Sequence, residues 1–149
     1  MLTIYHGSTC RVEQPLARVC RPNLDFGVGF YLTDLKEQAS RWALRTADIR
    51  HETNVWLNVY SLDIEACRNT LYHYLHFTAY DAHWLDFVVS CRQGGSMWRD
   101  YDIIEGGIAD DRVIRTIDLY MRGDYTREEA LSRLVHQEPN NQICITNQK

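Results

Sequence analysis

No apolar run in this 149-residue chain approaches the roughly 20 residues that a membrane-spanning helix needs, so no membrane role is expected. Met1 to His6 carry no basic segment followed by a long apolar core, and in the absence of such a secretion signal a cytoplasmic location is expected. The five cysteines, at positions 10, 20, 67, 91 and 144, form no Cys-x-x-Cys pair. An odd, scattered set of this kind excludes a disulfide scaffold and predicts free thiols in a reducing compartment. The spacings of His73, His76, Asp81 and His83 do not match a dense zinc site, and no metal is expected. A Gly-x-Ser-x-Gly nucleophile elbow is missing, as are internal repeats and low-complexity stretches. Lysine is scarce: Lys36 and Lys149 are the only two among sixteen basic residues. That leaves planar guanidinium groups, which suit phosphates, although a compositional habit of the source explains the bias equally. A net charge of -4 argues against indiscriminate nucleic-acid binding and leaves a specific nucleic-acid substrate open.

What is present fits one soluble domain. A hydrophobic fraction of 45% and a charged fraction of 24% are ordinary for a globular chain of this length. Leu2 to Tyr5 predict a strand ended by His6-Gly7-Ser8, and Thr9 to Leu24, broken by Pro15 and Pro22, predict a loop. Leu35, Ala39, Trp42 and Ala43 share one helical face after a cap at Thr33 or Asp34. Val55, Leu57 and Val59 alternate with Trp56 and Tyr60 and predict a strand with neither side fully wet. Trp84, Leu85, Val88 and Val89 mark a helix capped by Asp81 and stopped by Gly94-Gly95. Asp102 to Glu105 predict a strand closed by Gly106-Gly107. Asp110 or Asp111 starts a further helix that Gly123 ends, and Thr126 to Glu129 have capping-box spacing. Gln142 to Thr146 predict a last strand, and a sheet that ended there would have its edge very near the chain terminus. The sum is an α+β class, with short strands and helices inserted between them and no regular βαβ alternation.

The stretch that organises these elements is Asp25-Phe26-Gly27-Val28-Gly29-Phe30-Tyr31-Leu32-Thr33-Asp34. It predicts a loop, a strand and a helix in that order. Its glycines precede the strand and lack a third member, so it is not a dinucleotide fingerprint of the doubly wound kind. Glycines there permit close approach of a ligand or a second chain segment. His6 followed by Gly7 places an imidazole, able to meet a hydroxyl, beside a bare backbone that offers an amide both a donor and an acceptor.

Taken together, His6-Gly7-Ser8, the run Phe26 to Asp34 and the following Gln38-Ala39 resemble the ADP-ribosyltransferase superfamily. The closer likeness is to the branch that includes the poly(ADP-ribose) polymerases. Over nearly its whole length the chain also resembles a bacterial group called domain of unknown function 3990. That likeness runs through Tyr80-Asp81-x-x-Trp84-Leu85-Asp86-Phe87, Tyr101 to Ile104, Ile108 to Asp111 and Asn141-Gln142.

The resemblance implies one domain over residues 1–149, with an ADP-ribosyltransferase-like split β-sheet core and inserted helices around an NAD cleft. His6 and Tyr31 are expected on facing strand ends that line it. It also implies roles for the site residues: His6 holds the adenosine ribose, Gly7 with Ser8 holds the nicotinamide carboxamide, and Tyr31 stacks on the nicotinamide ring. Gly27 and Gly29 shape the approach to Tyr31. Trp42 is a second stacking wall or a core tryptophan. Gln142 stands where the family carries an acid that stabilises the positive charge on the ribose as nicotinamide leaves. With an amide there, single transfer, NAD hydrolysis and binding without turnover all remain open. Glu105 is an alternative acid, and so are Asp110 and Asp111, which also read as a helix cap. The implied activity is NAD-dependent mono-ADP-ribosyl transfer to a protein or nucleic-acid acceptor. The chain would be the toxin of a pair with a small antitoxin protein. The alternatives are a catalytically silent NAD- or ADP-ribose-binding module and a purely structural domain.

Overall fold

The structure, a computed structural model, describes residues 1–15, 24–69, 72–107, 111–137 and 140–147. It is an α+β arrangement of two sheets. Strand β1 (Leu2–Ser8) pairs antiparallel with β3 (Trp56–Leu62). The second sheet has the order β2 (Phe30–Leu32), β6 (Asn141–Ile145), β5 (Ile103–Gly107), β4 (Tyr74–His76). Its pairings are antiparallel except for β4 with β5, which run parallel. The helices are α1 (Lys36–Arg50), α2 (Ile64–Asn69), α3 (Ala82–Arg92), α4 (Asp111–Met121) and α5 (Arg127–Leu134). Among the described residues no helix is long and apolar enough to cross a membrane.

Local chemistry sets several of these boundaries. The Asp81 side chain accepts from Trp84 N at 2.9 Å and starts α3, and Thr126 Oγ1 accepts from Glu129 N at 3.2 Å and starts α5. Helix α1 begins without a side-chain bond from its N-cap residue Leu35 and ends at His51, which adopts a left-handed conformation with φ 55°. Its sheet-facing stripe is Ala39, Ala43 and Ala47, while Leu35 and Trp42, expected on that face, are exposed. Alanines win these positions because the helix lies close against β1. A Cβ on Gly7 would stand 2.0 Å from the Ala39 carbonyl oxygen and 2.9 Å from the Ala43 Cβ.

Three expectations about strands change. β1 runs on through Ser8, because β3 pairs with it as far as Ser8 opposite Trp56, so His6 lies inside a strand and not at its end. Gly106 and Gly107 continue β5 instead of closing it. Phe77 and Phe26 cover the first and Tyr80 the second, so the missing side chains are filled by aromatic rings. β6 is interior to its sheet, between β2 and β5, and not an edge.

Two apolar clusters lie on opposite faces of the four-stranded sheet. One gathers Phe26, Phe77, Trp84, Phe87, Ile104 and Cys144 under α3, α4 and α5, and the other gathers Ile4, Phe30, Leu32, Ile103 and Ile143 between the two sheets. Fully burying side chains of this size contributes roughly 1.5–3 kcal/mol each before entropy is counted. Gly7→Ala is expected to force α1 away from β1 and cost about 1–3 kcal/mol of unfolding free energy. Urea titration of the variant and wild type would measure it, and equal midpoints would show that α1 does not depend on this contact.

Candidate functional site

Among the described residues the two sheets share one backbone bridge, antiparallel between Tyr5 and Thr33. Tyr5 N donates to the Thr33 carbonyl at 2.8 Å and Thr33 N to the Tyr5 carbonyl at 3.0 Å. In an unbroken ladder the next pair on this edge would be Gly7 with Tyr31. It does not form. His6 Nδ1 takes the Tyr31 carbonyl instead, at 2.7 Å, with its ring 4.2 Å from that of Phe30. The imidazole thus acts as a wedge that parts β1 from β2. Since peptide groups alternate along a strand, those of Gly7 point the same way as those of Tyr5, toward the β2 side, where no Gly7–Tyr31 pair forms.

A carbonyl only accepts, so His6 Nδ1 carries the proton and the neutral ring presents Nε2 as an acceptor. Burial lowers the His6 pKa from its ordinary 6.5, against the opposing pull of the bond to Tyr31.

Strand alternation sends the side chains of His6 and Tyr31 to opposite faces. His6 joins Phe30 and the cluster between the sheets; Tyr31 joins Cys144 and the cluster under the helices. The two residues are therefore brought together through the Tyr31 backbone and not through facing rings. Ser8 lies on the His6 face, where its hydroxyl is engaged by the backbone of Cys10 and by Asn58 Nδ2. Asn58 is the organiser of that face: it is buried, accepts from Val12 N at 2.8 Å and donates to the His6 carbonyl at 3.2 Å. Tyr60 adds a bond from its hydroxyl to the Val12 carbonyl at 2.6 Å, so residues 10–12 are pinned beside the histidine.

On the other face, Tyr31 donates its hydroxyl to the Gly27 carbonyl at 2.6 Å and accepts from Phe26 N at 3.0 Å. Burial pushes that hydroxyl well above its usual pKa, with Cys144 and Asp25 adding to the effect. Gly27 has φ +81°, and Trp98 covers the side on which a Cβ would sit. A Cβ on Gly29 would lie 2.3 Å from Cys144 Sγ, so both glycines are required by packing. Gln142 shares this face of β6 with Cys144. It is buried, and its Nε2 donates to Asp25 Oδ2 at 3.2 Å. Arg92 holds Asp25 Oδ1 from α3 through Nε at 2.8 Å and Nη2 at 2.6 Å. Trp42 is half exposed on α1, at 50%, which rules out a core tryptophan.

Glu105 lies on the opposite face from Gln142. Burial works against its charge, but bonds from Tyr74, Arg68 and Asn141, with His76 Nε2 at 3.8 Å, hold its pKa below the ordinary value. All of its acceptor capacity is directed inward to these groups, as in a structural carboxylate. Asp110, and the side chain of Asp111, lie outside the described residues. Two surface concavities do not coincide with the site. One, of about 380 Å³, is lined by residues including Asp86, Ser90 and Tyr120, and the other follows α4 from Ile114 to Arg122.

Residues 2–149 match the family described as Protein of unknown function (DUF3990). The chain belongs to that family. Comparison with curated proteins and with solved structures gives no match. For this DUF3990 domain the residues that sequence reasoning missed are Asn58, Arg92 and the partnership of Asp25 with Gln142. Asn58 could have been found as an amide at an inward position between Trp56 and Tyr60. The other two depend on contacts across 67 and 117 residues that no local pattern encodes.

The histidine leads to a prediction on pH. Its folded pKa is depressed, so the unfolded chain binds the proton more readily and the native state loses stability as pH falls below about 6.5. Glu105, also depressed, contributes stability that is present above about 4.5 and lost on further acidification. Unfolding free energy should therefore rise with pH over the range just below about 6.5 in the wild type, and this slope should flatten in His6→Gln. Denaturant titrations across that range would measure it, and an unchanged slope would remove His6 as its source.

Proposed function

We propose that this domain is an NAD-dependent mono-ADP-ribosyltransferase with an ADP-ribosyltransferase-like split-sheet core, carrying one ADP-ribose to a protein or nucleic-acid acceptor. The observation that carries the reading is the parted strand pair at His6. Gly7 turns an N–H and a C=O toward a gap, and a primary carboxamide such as that of nicotinamide is complementary to such a pair. Nε2 of a neutral His6 suits a sugar hydroxyl on the other side of the same gap. In the reaction the ribose C1′–N bond breaks and its electron pair leaves with nicotinamide. The acceptor nucleophile bonds to C1′ and gives up its proton, so nothing is oxidised or reduced and no metal is called for.

NAD is thus a co-substrate in this reading: His6 holds the adenosine ribose, Gly7 with Ser8 the carboxamide, Tyr31 beside Gly29 and Trp42 the nicotinamide ring, and Gln142 faces the ribose from which nicotinamide leaves. A second reading, a silent NAD- or ADP-ribose-binding module, is favoured by the amide at Gln142, which brings no charge of its own to the ribose. Exposed Trp42, Leu44 and Ile49 on α1 and Trp56 and Val59 on β3 offer apolar surface to a partner, in keeping with a cytoplasmic toxin held by a small antitoxin protein.

Incubation of the domain with labelled NAD and a cell lysate, followed by separation of protein from nucleic acid, tests the reading. Free nicotinamide and label in one fraction are expected. NAD binding without nicotinamide release would select the silent module, and no binding would overturn both. Trp42→Ala gives a sharper check. It should weaken NAD binding by about 1–3 kcal/mol through loss of an aromatic wall, while unfolding free energy stays within about 0.5 kcal/mol because the ring is exposed. Calorimetry showing equal affinity would exclude the stacking role.

A further inference from the structure

Gln142 and Asp25 form a pair whose chemistry is more specific than a buried contact requires. A carboxylate has no hydrogen to give, so the bond at 3.2 Å fixes the amide with Nε2 toward Asp25 and Oε1 facing away. Oε1 has no partner among the described residues. Every fully buried side-chain nitrogen or oxygen described does have one, so Oε1 reaches accessible space. Asp25 is itself anchored. Arg92 binds Oδ1 from α3, which offsets the cost of burying the carboxylate, while Oδ2 accepts from the amide. The same short loop receives the Tyr31 hydroxyl at Gly27, so Tyr31, Gln142 and Asp25 are tied together on one sheet face.

We propose that Asp25 is the positioning residue of this site. Through its bond to Nε2 it presents Gln142 Oε1 as the acceptor for a ribose hydroxyl and places a negative charge directly behind it, so that the pair does the work of one carboxylate. The inference rests on the ADP-ribosyl-transfer reading and deepens it. A hydrogen bond to a carboxylate polarises the amide and makes Oε1 more negative. As the C1′–N bond breaks and positive charge grows on the ribose, that oxygen and the charge behind it stabilise the developing cation. The cost of a carboxylate at position 142 also becomes plain. It would face Asp25 at hydrogen-bond distance, and two carboxylates there cannot both ionise near neutral pH.

The test compares wild type with Asp25→Asn, Gln142→Glu and the double variant, using nicotinamide release from NAD, NAD affinity and thermal melting. Asp25→Asn removes the charge and, by offering a donor as well as an acceptor, frees the amide to turn. Its kcat should fall about 100-fold with NAD affinity within about threefold of wild type. Gln142→Glu should lower both release and melting temperature at pH 7 and regain melting temperature as the pH is lowered and one carboxyl takes up a proton. The double variant exchanges amide and acid, leaves one carboxylate in the pair, and should recover release to within about tenfold of wild type and melt above either single variant. A purely structural Asp25–Arg92 pair would not restore turnover in this way. Wild-type release with undiminished release by Asp25→Asn would overturn this proposal alone, as would a double variant no more active than the single ones. A wild type that neither binds nor cleaves NAD would overturn the underlying reading and this proposal with it.

Discussion

One backbone bridge and one imidazole decide how this domain is put together. Tyr5 and Thr33 join two sheets that would otherwise continue as one, and His6 ends the union a residue later by capturing the Tyr31 carbonyl. A continued ladder would have closed the gap with backbone hydrogen bonds, each worth only about 1 kcal/mol net. The histidine supplies an equivalent partner for the Tyr31 carbonyl while leaving the Gly7 peptide outside any pairing with Tyr31. Everything proposed about ligand binding depends on that substitution of a side chain for a strand. Both sheets have to be well fixed for so local a device to hold them apart, and the apolar clusters on the two faces of the larger sheet provide this.

The start of β6 is held with unusual firmness. Asn141 and Gln142 are neighbours in sequence and leave the strand on opposite faces, and each meets a buried carboxylate that an arginine supports. Glu105 with Arg68 holds the first, and Asp25 with Arg92 holds the second. Buried ion pairs are weak sources of net stability, but they are demanding about geometry. A slip of one residue would exchange the two amides and turn Ile143 and Cys144 to the wrong clusters, so the pair of clamps specifies register. Thr33 adds a third point by donating its hydroxyl to the Asn141 carbonyl at 2.7 Å.

Much of the scaffold was legible because it is written in local patterns. Asp81 and Thr126 cap the helices they were read as capping, and the alternation around Trp56 to Tyr60 is a strand. The misreadings share a cause. Gly7, Gly106 and Gly107 look like punctuation in the sequence, yet they lie within strands where α1 or aromatic rings approach too closely for a side chain. The helical face through Leu35 and Trp42 was misjudged because apolar character alone does not say that a closely packed interface demands alanine. The short strand β4 and helix α2 escaped because a three-residue parallel strand and a six-residue helix carry too few residues for a period to show. At the site, the residue types at His6, Gly7 and Tyr31 were visible, but the separation of their side chains onto two faces follows only from the register that pairing imposes.

The interior position of β6 has a consequence in time. Strand β2 is complete by residue 32, but among the described residues its ladder partner in the larger sheet is β6, more than a hundred residues later. At roughly 5–20 residues per second, synthesis leaves β2 unpaired for several seconds. During that interval Tyr31 has no Cys144 to lie against and Asp25 no Gln142 to hold. The late strand thus works as a delay built into the topology. No nascent segment ending before residue 141 can bring Tyr31, Asp25 and β6 together.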